Sequence, residues 1–279
     1  MISAIVKTFT GIRWGEWSLI TLFISVLSGM VVALQYDPAT PLYSSSSLDI
    51  LVPHGSYFRS LHFYSSQFFF LFSIAHLVAV FKKTEGYTRG QWLKLTATLP
   101  VGLLILFTGY ILRGDSTGSL AGIIAENILL AIPLAGEPIN DLLLSISDNH
   151  MKRVYINHVI TLGIFWGILA WEHLRVYRAS FNNHLLLTGF ILLISVLIAA
   201  PFEPEQLGVF YVTGPWFFLG LQELLRFLPT LVAGVIVPLL LLAALALLRP
   251  ANNYLRPLLI FILIWLISYA ALSLIALSH

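Results

Sequence analysis

Seven stretches of this sequence are apolar enough, and close to long enough, to cross a bilayer, which takes roughly 20 residues of helix. They lie near 17–36, 57–81, 92–112, 154–177, 185–201, 229–248 and 256–277. Lipid offers no partner to an unpaired backbone group, so each is expected to be a helix. Only 10% of the residues are charged and 58% are hydrophobic, whereas a soluble domain carries about 25% charged residues. The expected class is an all-α membrane protein with seven transmembrane helices. The segment 118–147 reads differently. Its "ILLAIPLAGEPINDLLL" is apolar but broken by Pro133, Gly136 and Pro138. A short helical hairpin along the membrane surface is expected there. The start, "MISAIVKTFTGIRWGEW", lacks a signal-peptide cleavage pattern and reads as a surface helix ahead of the first span.

The basic residues orient this layout. With the N-terminus in the cytoplasm, Lys7, Arg13, Lys82, Lys83, Arg89, Lys94, Arg175, Arg178, Arg249 and Arg256 fall inside. Arg59, Arg113, Lys152, Arg153 and Arg226 fall outside, a ratio of ten to five that obeys the positive-inside rule. An eighth span within 118–147 would destroy the bias. The formal net charge of +2 gives no sign of nucleic-acid binding. With no cysteine, disulfides, thiolate metal sites and thioether-linked haem are excluded.

Four histidines stand inside apolar runs. The second span carries His62 and His76, and the fourth carries His158 and His173. Spacings of fourteen and fifteen residues make about 3.9 and about 4.2 helical turns, so each pair nearly shares a face, with a rise of about 21 Å. Both spans run from outside to inside. Side by side, they set His62 opposite His158 and His76 opposite His173. Ionisable groups within a membrane usually have a task. Zinc wants four ligands, and only Glu172 lies near those depths. Two imidazoles suit a haem iron whose porphyrin supplies four nitrogens. The expectation is two non-covalent haems b forming an electron path across the bilayer. A haem-free transporter using the histidines as a proton relay is the other class; an absorption spectrum separates the two.

Gly15 and Gly29 on the first span are also fourteen apart. A missing side chain lets a flat macrocycle approach, and it equally lets helices pack closely. Gly109 on the third span reads the same way, although its counterpart fourteen residues earlier is Leu95. Arg59 and Arg153 stand near the outer histidines. Each reads either as a haem-propionate partner or as an interfacial anchor.

The stretches "SGMVVALQYDPATPLYSS", "RSLHFYSSQFFFLFSIAHL", "FTGYIL", "NILLAIPLAG" and "RVYINHV…EHL" keep the order and most of the spacing of a known family. From about residue 13 to 180 the chain resembles cytochrome b of the quinol-oxidising cytochrome bc complexes. The fifteen-residue histidine gap is similar to the chloroplast and cyanobacterial form. Residues 185–279 resemble the three-helix small subunit of that form, with "GPWFFLGLQELLRFLP" at its Pro-Glu-Trp-Tyr segment. The resemblance thus implies a di-haem four-helix core over 1–183, fused to a three-helix quinone-site domain over 184–279.

It also implies an outer quinol pocket built from Gly109–Gly122, Ile132–Gly136 and Gly214–Phe218. Here the motif's glutamate is Pro215, and the family's Pro-Trp is Arg113-Gly114. Glu223 and, on the hairpin, Glu137 are the candidate replacement proton acceptors; the other readings are an ion pair of Glu223 to Arg226 and an ordinary interfacial acid at Glu137. The inner quinone pocket would be lined by the N-terminal segment and the start of the fifth span, with Arg178 and His184 as candidates. The implied role is the cytochrome b subunit of a quinol-oxidising respiratory or photosynthetic complex in a prokaryotic inner membrane. It would be a homodimer within a larger complex, working with a Rieske-type iron–sulfur or haem c subunit. The alternative is a non-bifurcating di-haem subunit wired to an external multihaem cytochrome or reductase.

Overall fold

The computed structural model describes residues 2–149, 151–203 and 212–278. Its regular elements there are helical. In chain order they begin with α1 (Ile2–Gly11), α2 (Trp14–Leu34), α3 (Pro41–Ile50), α4 (Gly55–Val80) and α5 (Arg89–Ile111). Then come α6 (Ser116–Leu130), α7 (Gly136–Leu143), α8 (Lys152–Leu174), α9 (Leu185–Leu197), α10 (Leu219–Leu224), α11 (Val232–Leu247) and α12 (Leu255–Leu277). The helix expected ahead of the first span is α1. The expected hairpin is α6 and α7, turned through Ile132–Ala135, where Leu134 takes φ 65°.

Among the described residues five helices are long and apolar enough to cross a membrane: α2, α4 with the turn that follows it, α5, α8 and α12. The fifth and sixth expected spans correspond to shorter apolar helices, Phe181–Leu197 and Val232–Leu247. Both helices stop a few residues before a proline. Pro201 and Pro250 disfavour helical conformation in the residue before them, and the helices end at Leu197 and Leu247.

The chain divides into two compact units. The first comprises 1–36, 43–106 and 164–201. In it α2 packs on α4 through its small residues Gly15, Ser18, Ser25 and Gly29. Ser18 Oγ lies 2.8 Å from Ser73 Oγ across this seam. Ile20, Ile24, Leu61 and Ile191 form the buried apolar cluster, with Tyr57 and Phe68 against it. Several hydroxyls within the spans bond back to their own helix, as Ser28 Oγ does to Ile24 O at 2.7 Å and Ser65 Oγ to Leu61 O at 2.6 Å. That satisfies them without a partner from lipid.

The second unit comprises 37–42, 107–163 and 202–279. Here α10 packs on α12, where Tyr269 Oη donates to Phe217 O at 2.7 Å. The hairpin is tied by a carboxylate. Glu126 is buried on α6 and accepts from Ser147 Oγ at 2.6 Å, from Ser147 N at 3.2 Å and from Asn140 Nδ2 at 3.0 Å. Burial pushes this carboxyl up, but the hydrogen bonds outweigh it and hold it below the usual carboxylate range.

Candidate functional site

Each histidine on α4 meets a glycine of α2. A Cβ added at Gly29 would lie 2.7 Å from Cε1 of His62, and one added at Gly15 would lie 2.9 Å from Cε1 of His76. The glycines therefore make room first for the imidazoles themselves. This explains the shared fourteen-residue spacing on two antiparallel helices. His62 Nδ1 donates to Ser25 O at 2.8 Å. A carbonyl oxygen only accepts, so the proton sits on Nδ1 and the lone pair on Nε2.

Around His76 the first unit forms an aromatic cluster. The ring of His173 lies 5.8 Å from that of His76, tilted by 51°. Tyr177, one turn beyond His173, packs 4.9 Å from it and 6.0 Å from His76. Nε2 of His76 is buried and, among the described residues, has no hydrogen-bond partner.

His158 follows the same pattern in the second unit. A Cβ at Gly109 would lie 2.7 Å from its Cε1, and its Nδ1 stands 3.1 Å from Thr108 Oγ1. Locally α8 is not α-helical: Asn157–Thr161 form a π turn. Asn157 Nδ2 donates to Leu142 O at 2.7 Å and Leu143 O at 2.9 Å, tying that turn to the end of α7. A π turn holds one residue more than an α turn. It absorbs the extra residue of the fifteen-residue spacing beside His158.

These residues fit a haem. Two metal–nitrogen bonds of roughly 2 Å each, with the ring radii added, span about 6 Å between imidazole centres, close to the separation of His76 and His173. A ligand histidine characteristically holds its other ring nitrogen in a hydrogen bond, as His62 does. Among the described residues no group of three or more His, Asp or Glu is placed to hold a metal ion, so the remaining ligands would come from a porphyrin.

The other candidates are placed as follows. Arg59 donates from Nε and Nη2 to Asp49 at 2.7 and 2.6 Å, and from Nη2 to Ala200 O at 2.9 Å. Arg153 is exposed in the first turn of α8, and Arg178 is exposed in the loop that follows it. His184, just before α9, places Nε2 2.7 Å from Glu16 of α2, which also pairs with Arg13. The N-terminal segment and the start of the expected fifth span therefore do meet. Glu223 on α10 is fully buried, and Arg226 Nη1 donates to both its oxygens at 3.1 Å. In the second unit Phe107 packs on Phe218 with ring centres 5.1 Å apart, and Tyr110 Oη donates to Thr213 O at 3.4 Å. The loop leading into this segment lies largely outside the described residues.

Sequence reasoning missed Ser25, Thr108, Glu16, Glu126 and Asp49. Ser25 and Thr108 carried a faint signal, standing one turn before Gly29 and directly before Gly109.

Residues 2–181 match the family model for cytochrome b/b6/petB. The chain belongs to the cytochrome b family. A cytochrome b6 from Heliomicrobium gestii is 26% identical over 175 residues, which cover 60% of this chain and 81% of that one. A chain of a hyperthermophilic respiratory Complex III has the same fold, with a TM-score of 0.65 at 20% identity over 94% of this chain and 82% of that one. As a family member, this is a multi-pass membrane protein that binds haem b. It is the cytochrome b subunit of a multi-subunit, quinol-oxidising electron-transfer complex.

Proposed function

We propose that the chain holds two haems b and carries electrons between an outer quinol pocket and an inner quinone pocket. The membrane is the cytoplasmic membrane of a prokaryote, with the N-terminus inside. The observation that carries this reading is His76, whose buried Nε2 has no partner among the described residues while Gly15 gives its ring room and His173 lies 5.8 Å away. The inner ligands are His76 and His173. The outer ligands, from the register of the spans, are His62 and His158. When bound, each haem supplies a one-electron couple.

Around these groups the protein's own work is orientation and proton handling. Gly15, Gly29 and Gly109 let the imidazoles sit against a helix backbone. Ser25 sets the tautomer of His62. Glu223 receives a quinol proton at the outer pocket in place of the carboxylate that Pro215 lacks. His184 and Arg178 serve the inner pocket, and Arg59 and Arg153 are the residues at the outer end that could balance propionate charge. Residues 184–279 act as a quinone-site domain fused to the 1–183 core. A Rieske-type iron–sulfur or haem c subunit takes the second electron, and the complex is a homodimer.

Haem extraction from the purified chain, with redox titration of its spectrum, tests this reading. Two non-covalent haems titrating in separate steps are expected, and one haem or none would overturn it. The non-bifurcating reading is favoured by Pro215 and by the engagement of Glu223 with Arg226. Single-turnover kinetics with an inner-site inhibitor decides between them, since only bifurcation over-reduces the haems when the inner exit is blocked.

A further inference from the structure

Arg113 follows the end of α5, where the family pattern has proline. The chain turns at Gly114, whose φ is +67°. Asp115 then caps α6, accepting from Gly118 N at 2.9 Å. The Arg113 side chain is nine-tenths buried, with 10% of its surface exposed. Its Nη2 donates to the wholly buried carboxylate of Asp115 and, at 3.2 Å, to Thr117 Oγ1. Its guanidinium lies 4.6 Å over the ring of Tyr110. Ion pair and ring contact together fix the plane of the fork. Nη2 thus uses both of its N–H groups, while Nε–H is buried and, among the described residues, meets no acceptor. A buried donor of a charged group left unmade is costly, so this position suits an acceptor oxygen that the described residues do not supply.

The charge balance says which kind of oxygen. Asp115 already neutralises Arg113, and it also accepts from Glu203 N at 2.8 Å. A second carboxylate on the same guanidinium would leave a buried negative charge in excess. A neutral carbonyl oxygen accepts the hydrogen bond at no such cost. The neighbouring side chains suit a flat ring. Phe107, one turn before Tyr110 on α5, packs against Phe218 of the Gly214–Phe218 segment.

We propose that Arg113 binds a carbonyl oxygen of the quinone headgroup at the outer pocket, through Nε–H. The assignment deepens the quinol reading above and rests on it. Asp115 is the positioning residue, because it acts only through Arg113.

The test uses the haem-loaded, full-length protein in detergent, titrated at equilibrium with a short-chain benzoquinone and a short-chain naphthoquinone. Arg113→Lys keeps a cation beside Asp115 but removes the Nε donor. It should weaken one class of quinone binding about tenfold and raise the KM for the corresponding quinol. Haem content, haem spectra and midpoint potentials should not change. A double variant, Arg113→Gln with Asp115→Asn, avoids a buried unpaired charge and should show the same loss. Wild-type affinity in both variants overturns the assignment alone. A shifted haem potential with unchanged quinone binding also overturns it, giving Arg113 to a propionate instead. Failure of the wild-type protein to bind either probe overturns the quinol reading and this assignment with it.

Discussion

Gly29 and His62 are fitted to each other: the imidazole carbon Cε1 occupies the space, 2.7 Å away, into which any Cβ at position 29 would project. The ring has little room to retreat, because Nδ1 is held by Ser25 O at 2.8 Å. Gly29→Ala should therefore rotate or expel the imidazole and lose most of the outer haem, while the inner haem remains. The corresponding change, Gly15→Ala, should spare the outer haem and disturb the inner one. Difference spectra with redox titration of each variant check this. Two intact haems in Gly29→Ala would show that the glycine serves helix packing alone.

His76→Ala should remove the inner haem and spare much of the outer one. The inner ligands belong to one cluster with Tyr177, whereas His62 is held by Ser25 some distance along the same helix. Quantitative extraction should fall from two haems to about one. Loss of both haems together would mean that the two sites assemble as one unit, contrary to this assignment.

The approach of His173 to His76 was legible because helical period is a fixed quantity, and the spacings of fourteen and fifteen residues each keep a pair near one face of its span. The π turn at Asn157–Thr161 was not legible. It depends on Asn157 reaching carbonyls of α7, and no local preference encodes that. The Glu16–His184 pair is 168 residues apart in sequence, and only tertiary folding brings it together. The fifth and sixth spans were placed by hydropathy, which sees apolar length but not where helical conformation stops.

Glu126 offers a pH test outside the spans. Its carboxyl is held below the usual range because hydrogen bonds from Ser147 and Asn140 outweigh the upward push of burial. A carboxyl with a lowered folded-state pKa stabilises the fold fully above its unfolded pKa, and the contribution is lost as pH falls through the folded value. The hairpin should thus loosen on acidification across and below the ordinary carboxylate range. Glu126→Gln should cost about 1–2 kcal/mol at neutral pH and flatten that acid-range dependence. Protease cleavage or hydrogen exchange within 116–147, followed against pH, reads both effects. An unchanged acid profile in the variant would assign the transition to other carboxylates.

The outer proton acceptor is the most exacting case. Quinol oxidation releases two protons, and an apolar pocket needs a group to receive them. Pro215 cannot do so. A helix running from Trp216 would set Glu223 about two turns on, but α10 starts only at Leu219, so the two do not share one helix; the Glu223 carboxylate is fully buried. Arg226, whose side chain is half exposed, contacts both its oxygens. That geometry permits two roles. As an ordinary ion pair, Glu223 holds α10 in place. As the acceptor, it takes a proton from the buried side, with Arg226 and solvent on the other. Glu223→Gln keeps the shape and removes the charge. For an acceptor, outer-site turnover should fall at least a hundredfold, in line with the usual contribution of a positioned base, while both haems stay bound and thermal stability drops little. Arg226→Gln separates the roles further, since breaking the ion pair from the other side should reduce stability without matching that loss of turnover. Normal turnover of Glu223→Gln across about pH 6–8 would give the proton to another residue or to water.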